Sequence, residues 1–228
     1  MIILDCGHGG INPENNRYET APNKMWHHLD DDYIFYEGEY NRVIGRTLTG
    51  IINDWNKEPS NQSKQIQFEF VSHSIKDTPL KDRVERANDI HVLNPNAIYL
   101  SFHANASPKQ NAKGFEVFTS SSTTYADVIA SQYYNEFMKS DYFRKHQFNW
   151  RGDWTDNDPD KEADFYVLRN TTCPAILIEH GFFDHPKEYK FLLEHDTILE
   201  FAYMHMNIIL WHYNYNNLWN QRTPLYKK

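Results

Sequence analysis

Three short apolar runs end in side chains that can bind a metal or move a proton. Ile2-Ile3-Leu4 leads into Asp5-Cys6-Gly7-His8-Gly9-Gly10, Ala97-Ile98-Tyr99-Leu100-Ser101-Phe102 into His103-Ala104-Asn105-Ala106, and Pro174-Ala175-Ile176-Leu177-Ile178 into Glu179-His180-Gly181. A fourth group, Glu37, stands where an amphipathic segment begins. Two histidines and one carboxylate, with a position left for water, form a ligand set known for catalytic zinc. A further carboxylate can take the proton from a water that attacks a carbonyl. Each residue alone has a plainer reading: a hydrogen-bonded histidine after a strand, a first-turn acid favoured by the helix dipole, or half of an ion pair. The glycine-rich turn lacks both G-x-G-x-x-G and the Lys-Ser/Thr of a phosphate-binding loop. Convergence of the four groups is what separates the readings, and residue types alone leave open which carboxylate ligates.

Groups so distant in sequence meet most simply at the carboxyl ends of strands in an open α/β sheet. Apolar residues Val43, Ile44, Leu48, Ile51, Ile52 and Trp55 follow one helix face between Glu37 and Trp55. Residues 65–71 alternate as a strand does, 80–90 read as a helix, and 97–102 and 114–118 as strands. A helix over 125–138 and a strand over 174–178 follow, then closing helices over 186–193 and 198–211. This alternation predicts an α/β fold, a single twisted, mostly parallel sheet with helices on both faces. Polar residues 12–32 and 139–163 read as long loops, which in compact domains tend to be functional or mobile. One domain over 1–213 and a tail over 214–228 are expected.

The chain of 228 residues is long enough to bury a sizeable core, and its net charge of −8 argues against gripping nucleic acid or anionic lipid. Two cysteines, Cys6 and Cys173, exclude a mainly thiolate zinc site. No apolar run reaches the roughly 18 residues needed for a membrane span. No basic-then-apolar leader is visible before Ile2-Ile3-Leu4. Aromatic residues make up 15% of the chain, enough to pack a core and to bind something flat, such as a sugar ring.

The motifs together resemble the zinc-dependent N-acetylmuramoyl-L-alanine amidases of the amidase_3 type, found in bacterial wall remodelling and in phage endolysins. Residues 3–10 resemble the family's opening D-P-G-H-G-G strand and turn, which implies that His8 is a zinc ligand. Glu37-Gly38-Glu39-Tyr40-Asn41 resembles its E-x-x-x-N helix start, which assigns the second ligand to Glu37, four before Asn41, and not to Glu39. Residues 82–88 resemble R-x-x-x-A-N. Residues 101–106 resemble S-I-H-A-N-A, making His103 the third ligand. Residues 174–182 resemble P-A-V-L-V-E-x-G-F, making Glu179 the catalytic base. Cys6 departs from the family's Pro and is expected as a buried inert thiol rather than a fourth ligand.

The resemblance implies a peptidoglycan hydrolase with bound Zn²⁺ that cuts the amide between N-acetylmuramic acid and L-alanine. A zinc peptidase acting within the stem peptide is the alternative, weakened by the absence of H-E-x-x-H; an inactive wall-binding protein is another. Arg83 is a candidate to neutralise a peptide carboxylate, weighed against an ion pair that positions the His103 strand. Trp150, Trp154 and Tyr166 are candidates to stack on sugar or peptide. Peptidoglycan is the expected partner and a monomer the expected state, with no nucleic-acid partner and no membrane insertion. Synthesis in the cytoplasm and holin-dependent release, as for a phage endolysin, match the missing leader.

Overall fold

Period-two burial builds the sheet. In the computed structural model, strand β1 (Ile2–Cys6) sends Ile2, Leu4 and Cys6 into one hydrophobic layer and Ile3 into the other. Strand β7 (Ile98–Asn105) divides Ile98, Leu100 and Phe102 from Tyr99 in the same way, and β10 (Ala175–Phe182) divides Ile176 and Ile178 from Ala175 and Leu177. Strands buried on both faces read as continuous apolar runs and need helices on each side. The structure describes residues 1–155 and 157–220, with side chains described as far as residue 214.

The six-stranded sheet runs β6-β1-β7-β10-β8-β9, where β6 is Phe68–Ser72, β8 Glu116–Thr119 and β9 Lys161–Glu162. Strands β6, β1, β7 and β10 are parallel; β8 lies antiparallel to β10, and β9 parallel to β8. The expected α/β class and mostly parallel sheet are therefore observed. Helices α1 (Glu37–Lys57), α3 (Tyr125–Lys139) and α7 (His195–Asn220) cover one face, and α2 (Leu80–Leu93) and α5 (Tyr166–Asn170) the other. Short helices α4 (Asp141–Lys145) and α6 (Glu188–Leu193) complete the set.

Three expectations need correction. Residues 12–32 are not one long loop: β2 (Ile11–Asn12) pairs with β3 (Arg17–Tyr18), a 3₁₀ turn spans Pro22–Lys24, and β4 (Met25–His28) pairs with β5 (Tyr33–Tyr36). The second hairpin is docked, because His28 stacks on Tyr189 with 3.5 Å between ring centroids and its Nε2 meets the Phe183 carbonyl at 2.8 Å. Residues 139–163 likewise contain α4 and β9 and were too polar to show either by periodicity. The closing helix begins at His195 and continues past residue 213 to Asn220; the rest of the expected tail, 221–228, lies outside the described residues.

Candidate metal centre

The chain's direction at the end of β1 is set by an unusual backbone. His8 has φ +67°, in the left-handed region that a non-glycine residue occupies only at a cost. It is held there by its neighbours: its carbonyl accepts from Arg42 Nη1 at 2.9 Å, and Asn41 Nδ2 donates to the Gly7 carbonyl at 3.0 Å. Both come from the first turns of α1, so the helix that begins at Glu37 also fixes the turn that carries His8. Gly7 is required because the His103 imidazole lies against it; a Cβ there would sit 2.2 Å from His103 Cε1.

These elements bring His8, Glu37 and His103 together, with one donor atom from each lying within 4.8 Å of the others. Glu37 Oε1 lies 3.2 Å from His8 Nε2 and 3.0 Å from His103 Nδ1. Glu37 is buried, and the two imidazoles are only slightly open to solvent. Burial works to raise the Glu37 pKa, but His8 and His103 outweigh it and hold the carboxyl well below the ordinary range. His8 Nε2 and Glu37 Oε2 are buried without a hydrogen-bond partner. Buried polar atoms nearly always make hydrogen bonds; these two have only looser ion pairs, His8 Nε2 with Glu37 Oε1 and Glu37 Oε2 with Lys24, and the clustered imidazole and carboxylate donors suit a cation such as zinc.

Glu179 stands beside this group. It pairs in register with His103 of β7 on one side and Glu116 of β8 on the other. His103 and Glu179 lie inside their strands rather than at the ends expected from the apolar runs, because β7 continues to Asn105 and β10 to Phe182. Glu179 Oε2 is also buried without a partner. Burial, then the charge of Glu37, raises the Glu179 pKa well above the carboxylate range, while Lys24 opposes. Lys24, from the 3₁₀ turn, reaches to 3.5 Å from Glu37 Oε2.

Other candidates fall elsewhere. Glu39 turns away from the group, accepting from the Ile11 N–H at 2.7 Å and Arg42 Nη2 at 3.2 Å. Cys6 is buried against Gly45, where burial pushes its thiol up, and it is not one of the grouped donors. His180 points to the opposite face of β10. Its Nδ1 meets the His103 carbonyl at 2.9 Å, its Nε2 meets His205 Nε2 at 2.9 Å, and His205 Nδ1 meets Tyr133 Oη at 2.9 Å. Trp150 and Trp154 line an open cavity of about 1070 Å³ with Tyr134 and Arg151, while Tyr166 begins α5 outside it.

Arg83 lies in a buried ion-pair network. Its guanidinium is buried, with Nε donating to the Thr78 carbonyl at 2.8 Å, Nη1 to Asp5 at 3.0 Å and Nη2 to Asp77 at 2.6 Å. Three of its five N–H groups are thus engaged inside the protein, the ion-pair arrangement weighed in the sequence against a contact to a peptide carboxylate. Asp5, fully buried, also accepts from Tyr99 Oη at 2.6 Å and Ser101 Oγ at 2.7 Å, so Arg83 and Asp5 tie α2 to β1 and β7. Sequence reasoning missed Asp77, whose Oδ2 lies 3.8 Å from His8 Nδ1. Burial works against the Asp77 charge, but His8, Thr20 and Arg83 outweigh it and pull its pKa down to about 2. No motif marks Asp77; only its spacing ahead of Arg83 hints at a shared ion pair.

Fold and site thus define an α/β protein with a candidate hydrolytic metal centre at the carboxyl edge of its sheet. The family model for N-acetylmuramoyl-L-alanine amidases matches residues 2–210, and the chain belongs to that family. An endolysin of Bacillus phage SPP1 is 34% identical over 123 residues, which take in 53% of this chain and 40% of that relative's length. Two solved structures share the fold. The N-acetylmuramoyl-L-alanine amidase of Clostridium difficile 630 superposes with a TM-score of 0.66 at 24% identity, covering 93% of this chain and 96% of its own. The catalytic domain of CwlV, from Bacillus (Paenibacillus) polymyxa var. colistinus, gives 0.65 at 20% identity, covering 91% and 94%.

Proposed function

We propose that the protein hydrolyses the amide between N-acetylmuramic acid and L-alanine in peptidoglycan, with zinc held by His8, Glu37 and His103. The observation that carries this reading is the clustering of His8, Glu37 and His103 donors beside Glu179, with His8 Nε2, Glu37 Oε2 and Glu179 Oε2 buried and making no hydrogen bond, in an amidase-family fold. Zinc, when bound, supplies a Lewis acid and lowers the pKa of water to about 7. Asp77, with Oδ2 3.8 Å from His8 Nδ1, places a negative charge behind the ring, where the carboxylate partner of a metal-binding histidine stands. Glu179 takes a proton from the attacking water and returns it to the departing amine. Its raised pKa suits a group that must hold that proton between the two steps. With a cation held by His8, Glu37 and His103, Glu179 would be drawn back toward its ionised form, the state in which it acts as a base.

A role in wall lysis, with cytoplasmic synthesis and holin-dependent release, accords with the similarity to a phage endolysin. Among the described residues no helix is long and apolar enough to cross a membrane. Mass spectrometry of digested peptidoglycan tests the activity. Free stem peptides with an unblocked L-alanine amine are expected; products cut within the stem would instead identify a peptidase, and unaltered wall a binding protein.

A further inference from the structure

A second group of acids lies away from the candidate metal centre. Asp127 in the first turn of α3, and Asp158 and Asp160 in the segment leading to β9, each place a carboxylate oxygen within 4.8 Å of the others. Asp160 is fully buried and Asp127 nearly so, while Asp158 is half-buried.

Hydrogen counting shows that something is missing. The Thr119 hydroxyl lies 2.9 Å from Asp127 Oδ1 and 2.7 Å from Asp160 Oδ2, yet it has one hydrogen to give. Asp160 Oδ1 and Asp158 Oδ1 are buried with no donor at all. Lys161, the nearest basic residue in sequence, is turned to Glu116 at 2.5 Å. Among the described residues no lysine, arginine or histidine forms an ion pair with any of the three acids. Asp127 Oδ2 accepts the Thr124 N–H, so the oxygens short of a donor are Asp158 Oδ1 and Asp160 Oδ1; three carboxylates around a buried oxygen-lined point, two of them so placed and none ion-paired, are the setting that a hard cation satisfies. Every donor is oxygen, which selects against the softer metals that imidazole or thiolate would favour.

We propose that Asp127, Asp158 and Asp160 form a second cation site, for Ca²⁺ or a comparably hard divalent ion. The site would join three elements: helix α3 through Asp127, strand β8 through Thr119, and the segment carrying Asp158 and Asp160. That segment also bears the cavity wall. Trp150 Nε1 donates to the Pro159 carbonyl at 2.9 Å, and the Asp153 N–H to the Asp160 carbonyl at 3.3 Å. A bound ion would therefore stiffen the wall made by Trp150 and Trp154.

Calcium chloride titrated into the purified protein, read by calorimetry and by thermal unfolding, tests the proposal independently of amidase activity. One Ca²⁺ per chain is expected, with a dissociation constant on the order of 10⁻⁴–10⁻³ M. At a hundredfold excess over that constant the Tm should rise by about 5–10 °C. Asp158→Asn, at a half-exposed position, should remove both effects and leave zinc content unchanged. A wild-type protein that shows neither heat nor Tm shift with Ca²⁺, Mg²⁺ or Mn²⁺ would overturn the site and leave a shared proton as the link between the acids. Undiminished Ca²⁺ binding by Asp158→Asn would overturn it equally. The wild-type titration decides even if the variant does not fold.

Discussion

At the scale of single residues, the division of labour between two buried glutamates is the point to test. Glu179→Gln keeps the size of the side chain but removes its ability to accept a proton. Turnover on purified wall is expected to fall by about 10²–10⁴, with zinc content unchanged by metal analysis. Glu37→Gln should lose zinc, whereas Glu39→Gln should retain zinc and activity, because Glu39 is spent on Ile11 and Arg42. Asp77→Asn should weaken zinc affinity by about 10–100-fold in a competitive chelator titration. The four residues of the trio and Glu179 were legible because each stands in a short motif after an apolar run or at a helix start. Asp77 was not, since a lone aspartate between polar residues carries no pattern. Arg83 was visible, but its partners Asp5 and Asp77 come from other elements, and only their positions show that its charge is consumed inside the protein.

At the scale of elements, the turn between β1 and β2 is where geometry is least forgiving. Gly7→Ala would drive a methyl group into the His103 ring. Overpacking of this kind costs about 1–3 kcal/mol, and here the group displaced belongs to the candidate metal centre. Both Tm and zinc occupancy should therefore drop, while an exposed glycine with open space, Gly50→Ala, should change neither in this way. The sheet strands and long helices were readable from period-two and helical patterns. The β4–β5 hairpin was not, although Tyr33-Ile34-Phe35-Tyr36 has strand-forming residues. Its neighbours Asp30, Asp31 and Asp32 gave the region a polar cast, and its docking depends on distant Phe183 and Tyr189. Helix α4 and strand β9 are too short for any period to register.

At the scale of the whole molecule, the buried acids make stability depend on pH. Burial, with Asp158 and Asp127 nearby, pushes Asp160 up to about 8. In cation-free buffer the folded chain then keeps a proton that the unfolded chain has released above about pH 4. Stability from this group is complete below that point and is lost as pH rises towards 8. Thermal unfolding between pH 5 and 8 should show the Tm falling, and Asp160→Asn should flatten that slope.

The contact from His180 to the His103 carbonyl has a consequence for the hidden hydrogens. Burial pulls both His180 and His205 down, so each is neutral and carries one N–H. A carbonyl can only accept, so His180 must donate from Nδ1 and accept at Nε2. His205 must then donate from Nε2 and accept at Nδ1, and Tyr133 must donate its hydroxyl hydrogen. Three hydrogens across the core thus share one direction, from α3 through α7 and β10 to the strand that bears His103. The two imidazoles are opposite tautomers, and ¹⁵N spectra should show a protonated Nδ1 in His180 and a protonated Nε2 in His205. Reversing any one link would leave two donors or two acceptors face to face, so the strand that bears His103 is held by a row of bonds with a single sense.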